Sequence, residues 1–140
     1  MRFWDASAVV PLVINDPADG PVIGVDVKTE MVVWWGTVVE VASAIARRER
    51  AGGLSGEQVA SCLDLLQKLT TDWLEILPSD ALRQMAQRLL RVHALKAADS
   101  LQLAAALAAS ADRSGFVEFI CRDSRLSEAA AREGLRVLAA

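Results

Sequence analysis

The fold follows from the stretch Arg2-Phe3-Trp4-Asp5-Ala6-Ser7, in which two aromatic residues lead directly into an aspartate. Residues 2–4 are predicted to form a short buried strand, and the mostly apolar residues 7–14 a short helix. In open α/β sheets, ligands bind beyond the carboxyl ends of the strands. A buried carboxylate at such a position is costly unless something satisfies its charge. Asp5 is therefore predicted to be the fixed point of an acidic, metal-binding site.

Short strands and helices alternate along the rest of the chain. Further strands are predicted at residues 31–35, 73–77, 116–121 and 135–138, and helices at residues 37–50, 55–69, 79–92, 96–111 and 124–132. Residues 19–28 show no clear pattern, and all four tryptophans are predicted to lie in the core. The alternation predicts an α/β protein with a single domain over residues 1–140. Its expected architecture is a three-layer α/β/α sandwich around a central, mostly parallel sheet of four to five strands.

The composition narrows the classes of function. With 140 residues and 53% apolar content, the chain is long and apolar enough for a core, and some apolar surface is expected to be covered by a partner. No apolar run approaches the roughly 20 residues of a membrane-spanning helix, and no secretory signal is visible. Cys62 and Cys121 lack metal-type spacing and fit reduced thiols, so a cytoplasmic location without membrane contact is predicted.

Three further acids occupy positions that suit a site shared with Asp5. Asp123 follows the strand predicted at residues 116–121, so its carboxylate would enter the same crevice if the two strands are neighbours. Glu40 and Asp99 lie in the first turns of two apolar helices, where the helix dipole favours negative charge. Each of these three acids could instead serve only its own helix, as a cap or a dipole partner.

Four clustered carboxylates repel one another, and Mg²⁺ or Mn²⁺ with oxygen ligands relieves that repulsion. Two such ions about 4 Å apart can activate water and stabilise the leaving oxygen of a phosphodiester. That chemistry needs no His, Cys or Ser nucleophile. The sole histidine, His93, is predicted to end a helix as a surface or capping residue. The net charge of −3 does not exclude nucleic acid, because two divalent cations would change it to +1.

The order of these residues resembles that of PIN-domain ribonucleases, and more narrowly the toxins of VapBC-type toxin–antitoxin pairs. The matching segments are Asp5-x-Ser7, Thr37-x-x-Glu40, Leu95-x-x-x-Asp99-x-x-x-x-Ala104 and Cys121-x-Asp123-x-x-Leu126. The resemblance covers essentially the whole chain. Two departures are visible: Cys121 stands where the family often has Ser or Thr, and residues 19–30 lack the expected charged helix.

The resemblance implies a PIN-like fold and an endoribonuclease that depends on Mg²⁺ or Mn²⁺. It further implies an RNA substrate, a homodimer and a cognate antitoxin that blocks the site. The residues implied to bind metal and to be catalytic are Asp5, Glu40, Asp99 and Asp123. It also implies that the hydroxyls of Ser7 and Thr37 hydrogen-bond the carboxylates.

Basic residues adjoin the proposed acids. Lys96, Arg122 and Arg125 are their neighbours in sequence, and Arg47 lies two helical turns after Glu40. They are candidates for RNA or antitoxin contacts, or for a solvated surface.

Three other functions stay open at this point: a PIN nuclease that is not a toxin, a degenerate PIN-like binding module, and an Asp-nucleophile phosphatase. The phosphatase would need a second Asp two residues after Asp5, where Ser7 stands.

Overall fold

The structure is a computed structural model that describes residues 1–17, 20, 29–112 and 117–139. The strands are β1 (Arg2–Trp4), β2 (Met31–Trp34), β3 (Leu74–Ile76), β4 (Glu118–Cys121) and β5 (Arg136–Ala139). The helices are α1 (Ala6–Val13), α2 (Thr37–Arg50), α3 (Gly56–Asp72), α4 (Asp80–Val92), α5 (Ala97–Asp112) and α6 (Ser124–Arg132). Each predicted strand and helix is present within a few residues of its expected bounds. Most of the segment 19–30, which lacks a clear pattern, lies outside the described residues.

The five strands form one parallel sheet in the order β3-β2-β1-β4-β5. Successive side chains of β1 bury on opposite faces, because side chains alternate along a strand. Phe3 packs with helices α4, α5 and α6, whereas Trp4 packs with α1, α2 and α3. Each face of the sheet is thus covered by three helices, which confirms the three-layer α/β/α sandwich.

One prediction about the core was wrong, and the reason lies at the C-terminal end of β2. Trp4, Trp34 and Trp73 are buried as expected, but the side chain of Trp35 is 51% exposed. β2 ends at Trp34, and Trp35 lies in the turn that leads into α2. The placement of Trp35 in the core was therefore wrong, because the strand stops one residue earlier than its aromatic pattern indicates.

Gly36 lets this turn pass beneath the indole of Trp34. A Cβ atom added at Gly36 would lie 2.5 Å from Trp34 Nε1 and 3.0 Å from its Cδ1. Trp34 is 7% exposed and packed in the core, so its ring has little room to retreat. Glycine at position 36 therefore keeps the start of α2 close to the end of β2.

We expect Gly36→Ala to lower the free energy of unfolding by about 1–3 kcal/mol, the usual cost of overpacking a core. Gly56→Ala is the matched control, because a Cβ atom there meets no atom within 4 Å. It should change stability by no more than about 0.5 kcal/mol. Urea unfolding of the two variants tests this. Equal losses of stability in the two variants would show that the contact with Trp34 does not determine the cost of a side chain at position 36.

Candidate active site

The candidate site lies where the strand order of the sheet reverses. The chain passes from β1 to β2 and β3 on one side, and then places β4 and β5 on the other side of β1. In open α/β sheets such a switch point leaves a crevice beyond the carboxyl ends of the two central strands. β1 and β4 pair directly, and the backbone N–H of Asp5 donates to the carbonyl oxygen of Ile120 at 3.0 Å.

Four acids from four separate elements line one cavity of about 520 Å³ at this edge, which we call the acidic cavity. Asp5 follows β1 and Asp123 follows β4, while Glu40 and Asp99 come from the first turns of α2 and α5. The structure therefore brings all four predicted acids to the same cavity. Arg47, from the second half of α2, also lines it.

Asp5 is the most deeply placed of the four, with 4% of its surface exposed. It caps α1, and its Oδ2 accepts from the backbone N–H of Ser7 at 2.9 Å and from Ser7 Oγ at 2.5 Å. Ser7 Oγ in turn accepts from the backbone N–H of Arg122 at 2.9 Å. Burial raises the pKa of Asp5, the charge of Asp99 adds to the rise, and the Ser7 hydrogen bonds oppose it. The hydroxyl of Ser7 thus connects Asp5, at the end of β1, with the backbone of Arg122, at the end of β4.

Glu40 is held by Gln102, a residue of α5. Gln102 Nε2 donates to Glu40 Oε1 and to Thr37 Oγ1, each at 3.0 Å. Burial, together with the charges of Asp5 and Asp99, raises the pKa of Glu40 to about 7, although the Gln102 hydrogen bond lowers it. Thr37 therefore supports Glu40 through Gln102.

Gln102 is a site residue that sequence reasoning missed. It is fully buried, in a helix otherwise made largely of Ala and Leu. A sequence signal was present, because Gln102 follows Asp99 by three positions and therefore shares its face of α5. A buried amide in an apolar helix needs a polar partner, which here is supplied by α2.

Asp99 and Asp123 combine a capping role with a position in the acidic cavity. Asp99 accepts a hydrogen bond from the backbone N–H of Lys96. Burial raises the pKa of Asp99, and the charge of Asp123 adds to that rise. Asp123 caps α6, because its Oδ1 accepts from the backbone N–H of Leu126 at 2.8 Å. The capping alternatives are thus present at both acids, alongside their place in the cavity.

The thiol of Cys121 contacts Asp5 and not the carboxylate of Asp123. Its Sγ lies 3.6 Å from Asp5 Oδ2 and accepts from the backbone N–H of Asp123 at 3.3 Å. Burial and the charge of Asp5 raise the pKa of Cys121 to about 12, so the group stays a thiol. The departure from Ser or Thr at this position therefore bears chiefly on Asp5.

The donor set of the acidic cavity fits a hard divalent cation. Its four carboxylates offer only oxygen, which Mg²⁺ and Mn²⁺ prefer, and three of them have a raised pKa. Burial is the main cause of each raised pKa and the charge of neighbouring acids adds to it; a bound cation would stabilise the ionised form against both. Across the described ranges, however, no three acidic, histidine or cysteine side chains are drawn together closely enough to enclose an ion.

Other predicted residues also have defined places. Arg122, Lys96 and Arg125 line cavities that adjoin the acidic cavity. His93 ends α4 as predicted, but its side chain is only 6% exposed and its Nε2 lies 2.7 Å from Glu133 Oε1. Of the two predicted roles of His93, surface or capping, the structure shows the capping one, and Glu133 holds the ring against the end of α6. Among the described helices, none is long and apolar enough to cross a membrane.

The chain matches no family model and no curated protein. It is similar in structure to FitAcB from Neisseria gonorrhoeae, with a TM-score of 0.66, 14% identity, and coverage of 99% of this chain and 96% of the other. It is also similar to PAE2754 from Pyrobaculum aerophilum, with a TM-score of 0.65, 17% identity, and coverage of 97% and 87%. The chain therefore has a PIN-like fold, as its sequence predicted.

Proposed function

We propose that this protein is a metal-dependent endoribonuclease and the toxin of a type II toxin–antitoxin pair. The observation that carries the proposal is the convergence of Asp5, Glu40, Asp99 and Asp123 on one cavity at the switch point of the sheet. The PIN-like fold and the order of the sequence motifs support the same conclusion. A homodimer and an antitoxin that covers the cavity belong to this proposal.

Asp5 and Asp99 would hold a Mg²⁺ or Mn²⁺ ion, and Glu40 and Asp123 would complete the site. When bound, the metal would lower the pKa of a water and neutralise charge at phosphorus. Ser7 fixes the orientation of Asp5 by holding Oδ2, which leaves Oδ1 for a ligand.

Glu40 has a separate task in the proposed reaction. Gln102 holds its Oε1, so the proton is accepted at Oε2. Without metal the pKa of this carboxyl is about 7, and a bound cation would favour its ionised form, which can act as a general base toward water. Gln102 and Thr37 keep this carboxylate in one orientation.

The proposal predicts that the purified protein cleaves labelled single-stranded RNA in the presence of Mn²⁺, and that cleavage stops when EDTA removes the metal. Asp99→Asn should lower the rate at least 100-fold, because a metal ligand and its charge are lost. Asp64→Asn is the matched control, since Asp64 pairs with Lys68 on the exposed side of α3 and does not line the cavity. It should cleave like the wild type.

Two outcomes would contradict the proposal. Calorimetric Mn²⁺ binding without any cleavage of RNA would indicate a binding module. Cleavage that is equal with EDTA and in Asp99→Asn would indicate a contaminating nuclease. The toxin role is tested by expression in cells: growth should arrest with the wild type and continue with Asp99→Asn.

A further inference from the structure

We infer that single-stranded RNA crosses the acidic cavity over Arg47, with its flanking phosphates held in two basic clefts. This inference rests on the proposed function and deepens it by assigning a path to the substrate. The first basic cleft is a cavity of about 550 Å³ lined by Arg47, Arg48 and Arg122. The second basic cleft is a cavity of about 730 Å³ lined by Arg47, Lys96 and Arg125.

Arg47 borders all three cavities, so it marks the point where they meet. The first basic cleft also shares Ser7 and Ala44 with the acidic cavity, and the second shares Asp99 and Asp123 with it. The two clefts share only Arg47 with each other, whereas each shares further residues with the acidic cavity, so the acidic cavity lies between them.

This order suits a chain that carries one negative charge at every linkage. A phosphodiester in the acidic cavity is repelled by the four carboxylates, and cations on both sides offset that repulsion for the neighbouring phosphates. Four of the five basic residues that line the two clefts are Arg, whose planar guanidinium can donate two parallel hydrogen bonds to a phosphate.

The first basic cleft is fixed to the acidic site by hydrogen bonds. The backbone N–H of Arg122 donates to Ser7 Oγ, which itself donates to Asp5. Arg48 Nη1 lies 2.9 Å from Asp16 Oδ2, which holds its guanidinium at the rim. A phosphate bound in this cleft would therefore lie at a set position relative to Asp5, as cleavage at a defined linkage requires.

An antitoxin is the competing occupant of the two clefts. A protein segment that neutralises the four acids would bring cations to them, and the flanking Arg residues would repel those cations. The charge of the two clefts therefore favours a polyanion within them, while an antitoxin that covers the acidic cavity would leave the clefts open.

The experiment measures binding of a fluorescent single-stranded RNA of about 12 nucleotides, within the range of known single-strand sites. Binding is followed by anisotropy across a salt series in an Asp5→Asn background, which keeps the RNA uncut. Arg47→Ala should weaken binding roughly 5- to 10-fold at low salt and reduce the salt slope by about 0.7, the value for one lost phosphate contact. Arg50→Ala is the matched control, since it lies in the last turn of the same helix and removes the same charge outside both clefts.

To distinguish the contributions of the two clefts, the cleavage site is first mapped on the RNA with the wild-type protein. Binding is then measured with two shorter RNAs, each of which extends to only one side of that site. Arg122→Ala should weaken binding of one half-length RNA, and Arg125→Ala that of the other. If both variants affect the same half, or if Arg47→Ala binds like Arg50→Ala, the inference is overturned even where cleavage has been shown. Loss of binding in Arg47→Ala without any cleavage by the wild type would support the path and contradict the nuclease.

Unchanged RNA affinity in the Arg variants, together with growth arrest that a co-expressed cognate antitoxin no longer relieves, would assign the clefts to that antitoxin. That result would also overturn the inference.

Discussion

Asp5→Asn is expected to abolish RNA cleavage while making the metal-free protein more stable at neutral pH. The cleavage rate should fall at least 100-fold, because the variant lacks the charge at the centre of the proposed metal site. Stability should rise because the buried anion is unfavourable: burial and the charge of Asp99 raise its pKa. Asn still caps α1 well, and its amide oxygen can accept from both Ser7 donors.

The measurements are a cleavage time course with Mn²⁺ and a thermal unfolding curve in EDTA at pH 7.5. If Asp5 had only a structural role, its replacement would lower both activity and stability. Loss of activity with a gain in stability therefore indicates a role in metal binding. Asp64→Asn, on the exposed face of α3, should alter neither quantity appreciably. A lower unfolding midpoint in Asp5→Asn would mean that another group already neutralises this carboxylate.

The stability of the metal-free protein is expected to fall as the pH rises from about 4.5 to 7, because Glu40 keeps its proton longer when folded. The ordinary pKa of the group is 4.5, and in the folded protein it is about 7. Between these values the folded state binds more protons than the unfolded chain, so stability decreases with pH. Below pH 4.5 the group is neutral in both states, and its stabilising share is fully present.

Thermal unfolding in EDTA at several pH values tests this, and a loss of a few degrees across the window is the expected scale. Glu40→Gln should make the fall in stability with pH smaller, because only the raised pKa values of Asp5 and Asp99 remain. Glu57→Gln, at the exposed start of α3, should keep the wild-type slope. Gln102→Leu removes the donor that lowers the pKa of Glu40, so the descending region should move to higher pH.

Divalent metal supplies a second readout at pH 7.5. An ion that binds only the folded state at 100 times its Kd adds about 2.7 kcal/mol of stability. Mn²⁺ should therefore raise the unfolding midpoint of the wild type and have a much smaller effect on Glu40→Gln. If the unfolding midpoint of the wild type in EDTA does not change between pH 4.5 and 7, the raised pKa assigned to Glu40 in the folded protein is contradicted.

The strands and the four acids were predictable because their signals are local. Asp5 and Asp123 each follow a short apolar strand, and parallel strands bring their carboxyl ends to one edge of a sheet. Glu40 and Asp99 stand out because each is an acid in the first turn of an apolar helix. The local pattern therefore places each acid at the end of a strand or the start of a helix. The order of the strands in the sheet then brings the four acids to one cavity.

The residues that support the acids were harder to predict because their contacts join distant segments. Gln102 and Glu40 are 62 positions apart, so their hydrogen bond depends on how α2 and α5 approach each other. Cys121 contacts Asp5 because β1 and β4 are neighbours, which no local pattern shows. The error at Trp35 has a different cause, since a strand that ends one residue early turns a buried side chain outward.

The strand order also decides when the site can exist. β1 leaves the ribosome long before β4, one of its two neighbours in the sheet, because 116 positions separate Asp5 from Cys121. A nascent chain that ends before β4 has an unpaired edge on β1 and lacks Asp123, so its acidic cavity is open and incomplete. For a protein proposed to cut RNA, this means that the ribosome must have translated β4 and Asp123 before the acidic cavity can be complete.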